Sequence, residues 1–129
     1  MDERMRIGEL AERAEVTPRT VRYYESLGLL PRGEREGGGQ HYYRAEMVMR
    51  LRKIEQLKKL GLSLEEVGGV IDLYFTDPSG LRAKHKVLVM LRAHLAEVDQ
   101  KVGELQQARD ELQAHIARFE QWLESQKKG

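Results

Sequence analysis

Apolar residues recur along this chain with two different periods. In residues 6–14, RIGELAERA, Ile7, Leu10, Ala11 and Ala14 fall on one helical face. Thr17-Pro18 follows, a hydroxyl suited to capping a helix and an imino acid suited to its first position. A second helix is predicted over about 18–27 and stops at Gly28, so the pair reads as a helix-turn-helix. Val16, Val21 and Leu27 are expected to pack the second helix on the first, with Arg19, Arg22 and Tyr23 outward. Tyr42 and Tyr43 are good strand residues, and residues 30–43 are expected to form a two-stranded ribbon tipped by Gly37-Gly38-Gly39. A helix from about Ala45 to Leu60 buries Met47, Leu51, Ile54 and Leu57 and stops at Gly61. Ser63-Leu64-Glu65-Glu66 is a capping box, with Leu62 and Val67 as its hydrophobic staple, and starts a helix to about Tyr74.

The second period is longer. Leu88, Leu91, Leu95, Val98, Val102, Leu105, Arg109, Leu112, Ile116, Phe119 and Leu123 follow alternating steps of three and four without a slip. That is a coiled-coil seam, apolar at every a and d position except Arg109. A helix over 82–125 is about 65 Å long at ~1.5 Å per residue. Its seam needs a partner of equal length, and a second copy supplies one, so a homodimer is expected. Arg109 either snorkels from a packed stem or selects register and oligomeric state. The fold class expected is mainly α: a winged helix-turn-helix with a helix pair over 1–76 and a coiled-coil dimerisation helix over 77–129.

Charge changes the picture when the chain is divided. Residues 1–62 carry 13 Lys/Arg against 10 Asp/Glu, and residues 63–129 carry 9 against 11. The basic excess sits in the half holding the helix-turn-helix, as expected if that half meets a polyanion. With no cysteine, disulfides, thiolate metal sites and thiol catalysis are excluded. The charged N-terminus lacks a signal-like segment and no long apolar run is present, which predicts a cytoplasmic protein with no membrane partner.

No enzyme constellation emerges, and neither metal nor cofactor is expected. The glycine run lacks the Lys-Ser/Thr of a phosphate loop. None of His41, His85, His94 and His115 has a His or Cys at the i+3 or i+4 position. DNA contact is better supported. Arg22 on the second helix has the fork that reads guanine or clamps phosphate, and tyrosine hydroxyls reach phosphate oxygens. Tyr24, three residues after Val21, is equally placed to pack in the core. Arg35, His41 and Arg44 would let the ribbon touch DNA beside that helix, and Lys58 with Lys59 adds phosphate contacts or a solvated face.

The segments IGELAERAEVTPRTVRYYESLGLLPR, HYYR and LKKLGLSLEEV, in that order before a long helix, resemble the MerR family of bacterial transcriptional regulators. The likeness covers essentially the whole chain. It implies a homodimer joined by an antiparallel coiled coil on a pseudo-palindromic promoter spacer. Bending and untwisting of that DNA would let RNA polymerase engage both promoter elements, in a nucleoid-associated bacterial protein. Motif matching puts Thr17, Arg19, Thr20, Arg22, Tyr23 and Tyr24 on recognition-helix positions and Lys58 on a phosphate-contacting one. The family's wing motif Gly-Tyr-Arg-x-Tyr stands here as Gly39-Gln40-His41-Tyr42-Tyr43, so His41 or Arg44 is the candidate for the arginine's contact, beside Tyr43. The cysteines of metal- and redox-sensing relatives are missing, and no ligand domain is expected after the seam. An effector, if there is one, would bind the dimer near Tyr74, Phe75, Phe119 and Trp122, which otherwise pack the coil. The competing readings are an architectural or partition-type DNA binder and a dimerisation module with a protein-binding head.

Overall fold

A computed structural model describes residues 4–36 and 40–128. In chain order the elements are β1 (Arg4–Met5), α1 (Ile7–Ala14), α2 (Pro18–Ser26), β2 (Glu34–Glu36), β3 (Gln40–Arg44), α3 (Glu46–Lys59), α4 (Leu64–Gly68), α5 (Leu73–Thr76) and α6 (Leu81–Lys128). The fold is mainly helical, a helix-turn-helix with a small wing sheet and a long final helix. The glycine tip expected at 37–39 lies outside the described residues.

The turn between α1 and α2 is closed by Glu15, which takes the left-handed conformation at φ 60° and returns its N–H to Ala11 and Glu12. Thr17 then caps α2, accepting the Thr20 N–H at 3.1 Å, and Pro18 occupies the first turn. Val21 is fully buried as expected and Val16 partly so, but Leu27 is exposed. Gly61 ends α3 at φ 97°, a backbone region that a Cβ disfavours. The capping box forms in full: Ser63 accepts the Glu66 N–H, and Glu66 accepts the Ser63 N–H. The single helix expected from Ser63 to Tyr74 is broken, however. Gly68 and Gly69, poor helix formers in succession, end α4, and α5 restarts at Leu73.

The sheet has the order β1-β3-β2, antiparallel throughout. Met5 lies opposite Tyr43, and Arg35 opposite His41. The strand β1 is an addition to the two-stranded ribbon expected from sequence.

By its internal packing the chain divides into Met1–Leu91 and Arg92–Gly129. The core of the first unit gathers Leu10, Val21, Tyr24, Leu51, Ile54, Val67 and Ile71, and takes Ala83 and Val87 from the start of α6. The packed unit therefore reaches into α6, beyond the 76/77 boundary read from sequence. The second unit is the remainder of α6 by itself, and every residue from 95 to 128 is exposed. Arg109 is among them. Among the described residues, no helix is long and apolar enough to cross a membrane.

Candidate nucleic-acid interface

The cap at Thr17 orients α2 so that Arg19, Arg22 and Tyr23 are exposed, while Val21 and Tyr24 point into the core. Thr17 and Thr20 hydroxyls lie 3.0 Å apart, Thr17 at the surface and Thr20 half-buried. Beside α2 the wing forms a cleft of about 520 Å³, lined by Arg6, Arg22, Arg32, Arg35, His41 and Tyr43 among others. Guanidinium groups thus come together from the residue before α1, from α2, from the α2–β2 connection and from β2. A concave surface with that charge focuses a positive potential suited to phosphate.

His41 is a structural member of this cleft. Its Nδ1 lies 2.8 Å from the Gly33 carbonyl oxygen, which can only accept, so the proton sits on Nδ1. The other ring nitrogen, Nε2, then accepts from Arg35 Nε at 3.4 Å. Across the β2–β3 pair, His41 therefore holds Arg35 at the edge of the cleft.

Two of the DNA-face candidates, Tyr24 and Tyr43, are turned into the fold. Tyr24 is 1% exposed, and its hydroxyl donates to Glu55 at 2.7 Å while accepting from Lys58 at 3.0 Å. Burial raises its phenol above the ordinary value. Tyr43 is 5% exposed, with its hydroxyl donating to Glu25 at 2.7 Å. Burial first, then that carboxylate, hold its phenol far above the usual range. Both rings belong to the hydrophobic core, because each phenol finds a carboxylate inside the fold.

Arg44 and Lys58 stand apart from the cleft. Arg44 reaches Glu34 through Nε and Nη2, both at 3.3 Å. Hydrogen bonds from Tyr42 and then Arg44 lower the Glu34 carboxyl. Lys58, on α3, pairs with Tyr24 and with Glu55 at 3.6 Å, and the Tyr24 bond chiefly raises its ammonium. Of the wing candidates, Arg35 and His41 line the cleft, whereas Arg44 is turned to Glu34. Arg6 and Arg32 are cleft residues that the sequence pattern does not mark. The signal for Arg6 is the Arg4–Met5 pairing with β3, too short to show as a strand pattern.

Leu91 is half-buried against the first unit's core and Leu88 is exposed. From Leu95 through Val98, Val102, Leu105, Leu112, Ile116, Phe119 and Leu123, the remaining seam residues are all exposed, Leu105 by 70%. Phe119, Trp122 and Leu123 line an open hollow of about 510 Å³ with His115 and Arg118. Tyr74 and Phe75 are engaged in the first unit, under Lys53 at 4.6 Å and Arg50 at 5.8 Å. Among the described residues, no group of three or more His, Asp or Glu could hold a metal ion.

Comparison with known proteins places this architecture. Residues 5–73 match the profile described as MerR HTH family regulatory protein, and residues 48–115 that described as MerR, DNA binding. The nodulation protein NolA of Bradyrhizobium sp. (strain NC92) is 37% identical over 109 residues, which is 84% of this chain and 42% of NolA. The chain therefore spans less than half the length of that relative. The regulator PbrR691 from Ralstonia metallidurans CH34, solved in complex with lead(II), is 33% identical with a TM-score of 0.67. That match covers 84% of this chain and 81% of PbrR691. HiNmlR, a regulator lacking the sensor domain and bound to promoter DNA, shares the fold at a TM-score of 0.55 and 20% identity. There the match covers 84% of this chain and 80% of HiNmlR.

Proposed function

The chain belongs to the MerR family of helix-turn-helix regulators, DNA-binding transcription factors and not enzymes, and from that premise we propose how it acts. It is a homodimer that sets two copies of α2 into successive major-groove half-sites of a promoter spacer and distorts the DNA between them, so controlling RNA polymerase. The observation that carries this reading is the arginine cleft beside α2. Arg22 supplies base or phosphate recognition from the helix, while Arg32 and Arg35 meet the adjoining backbone. Arg19 and Tyr23 add exposed groups at the same helix face, with Thr17 and Thr20 at its start.

The exposed seam supports the dimer. Apolar residues from Leu95 to Leu123 recur along one face of α6, and solvent covers them in a single chain. A second α6 removes that surface from water, and two heads then match the two-fold symmetry of a pseudo-palindrome. Deformation of a spacer would be read as energy, without base contacts at its centre.

Footprinting on the chain's own upstream DNA, paired with transcription in vitro, tests the proposal. Protection between the two promoter hexamers with a change in transcript level is expected. Dispersed protection with no change would favour an architectural role. Arg22→Ala should weaken specific binding by roughly 10- to 100-fold, about 1–3 kcal/mol, and leave the dimer intact. Full affinity at moderate salt would remove Arg22 from its assigned role.

A further inference from the structure

A carboxylate on a DNA-reading helix either accepts from a cytosine amino group or repels the phosphates the helix approaches. Glu25 is such a residue: it lies on α2, one turn from Arg22, and contributes to the lining of the arginine cleft. Its two oxygens are both used within the fold. Oε2 accepts the Gly33 N–H at 3.1 Å, and Oε1 accepts the Tyr43 hydroxyl at 2.7 Å. Gly33 precedes β2 and Tyr43 lies on β3, so one side chain of the helix grips both limbs of the wing.

The grip continues outward. The Gly33 carbonyl accepts from His41, and His41 in turn accepts from Arg35. Gly33 is at close quarters: a Cβ there would fall 2.8 Å from Tyr43 Cζ and 2.9 Å from His41 Cβ. Only a glycine lets the chain lie this near to Tyr43 and His41 while its N–H reaches Glu25.

We infer that Glu25 is a positioning residue that latches the wing to the recognition helix, setting Arg32 and Arg35 at a fixed distance from Arg22. This deepens the proposed DNA-binding role and rests on it. The repulsion of phosphate by Glu25 is tolerated because the carboxylate aims into the fold. Its removal frees the wing, and the arginines of the wing then no longer meet the backbone in register with Arg22.

The sign of the effect separates this from simple electrostatics. If Glu25 were only a nearby negative charge, Glu25→Ala would tighten DNA binding. As a latch, the same change weakens it by about tenfold or more and flattens the dependence of log K on log salt. The slope falls by roughly 0.9 for each phosphate that the wing ceases to neutralise, so a decrease of about one to two is expected. Glu25→Gln, which keeps an acceptor oxygen, should recover part of both effects. A variant that is merely less well folded would lower the active fraction and leave the slope unchanged. Amide exchange at Gly33 in the DNA-free protein gives a second, independent readout. Faster exchange in Glu25→Ala is expected, and unchanged exchange would overturn the latch whatever the DNA result. Failure of the wild-type protein to bind its promoter DNA with a normal Gly33 result would instead overturn the function proposed above. Tighter binding by Glu25→Ala, or weaker binding with an unaltered slope, would remove the positioning role.

Discussion

Residues 4–91 bury a core set of leucines, whereas residues 92–128 bury none. In the first unit Leu10, Leu30, Leu51 and Leu57 are sealed from water by helices and sheet drawn from the whole of that segment. In the second, Leu105, Leu112 and Leu123 lie along a single helix, more than half exposed. Leucine has the same transfer free energy in both places, roughly 1.5–3 kcal/mol on full burial. The first unit realises it by folding, and in the proposed dimer the second realises it by association. Core changes should therefore be felt in the melting of one chain, and seam changes in the proposed equilibrium between chains.

The largest effect is expected from Leu112→Ala. A buried leucine truncated to alanine costs about 2–5 kcal/mol, and a symmetric dimer bears that cost twice. At about 1.4 kcal/mol per tenfold, dimerisation should weaken by ~1,000-fold or more, as read by sedimentation over a concentration series. The melting of the first unit should be little changed. An undisturbed dimer would mean that this face of α6 is not its interface.

Leu51→Ala is the complementary change, and a smaller one. Leu51 is fully buried on α3, so a destabilisation of about 2–5 kcal/mol is expected once per chain. Calorimetry should show the unfolding of the first unit moving down, while seam association at lower temperature persists. Both transitions shifting together would show that the two regions are one cooperative body.

The smallest effect is expected at Asp77, before α6. Asp77 Oδ1 accepts from the Ser79 N–H and hydroxyl, and Oδ2 from the Arg82 N–H at the first turn of α6. Those bonds, Ser79's first, hold the Asp77 carboxyl below its ordinary value. A lowered value in the fold means that the contribution is present above the ordinary carboxylate range and disappears as pH falls through the lowered one. Asp77→Ala should therefore depress the first unit's melting by a few degrees near neutral pH. The wild-type and variant curves should converge in acid. A constant gap across that pH range would show that the carboxylate charge is not what caps the helix.

Much of this arrangement can be read from the chain. The Thr17-Pro18 cap, the Gly61 stop and the Ser63–Glu66 box announce helix ends through local chemistry, and local chemistry survives folding. The seam is legible because one period persists through α6. What is not legible depends on partners distant in sequence. Sequence leaves Tyr24 between core and surface and sets Tyr43 at the DNA face, until Glu55 and Glu25 are found against their hydroxyls. A phenol has an apolar body and a polar tip, so its pattern suits either side of a surface. The two-residue β1 carries no periodicity, which is why nothing in the pattern singles out Arg6. The unit boundary leaves no mark either, since α6 is one helix on both sides of it. Ala83 and Val87 change the packing partner without changing the helical repeat.

That continuity of α6 bears on dosage. Its opening turns are held in a core that forms within one molecule, while in the proposed dimer the rest packs on a second molecule. On that proposal a dilute chain would keep a folded head able to touch a single half-site weakly. Below the dimer's dissociation constant, occupancy of a paired site grows with the square of the protein's concentration, by mass action on the dimer. A modest rise in synthesis would therefore convert a nearly silent regulator into one that fills its site.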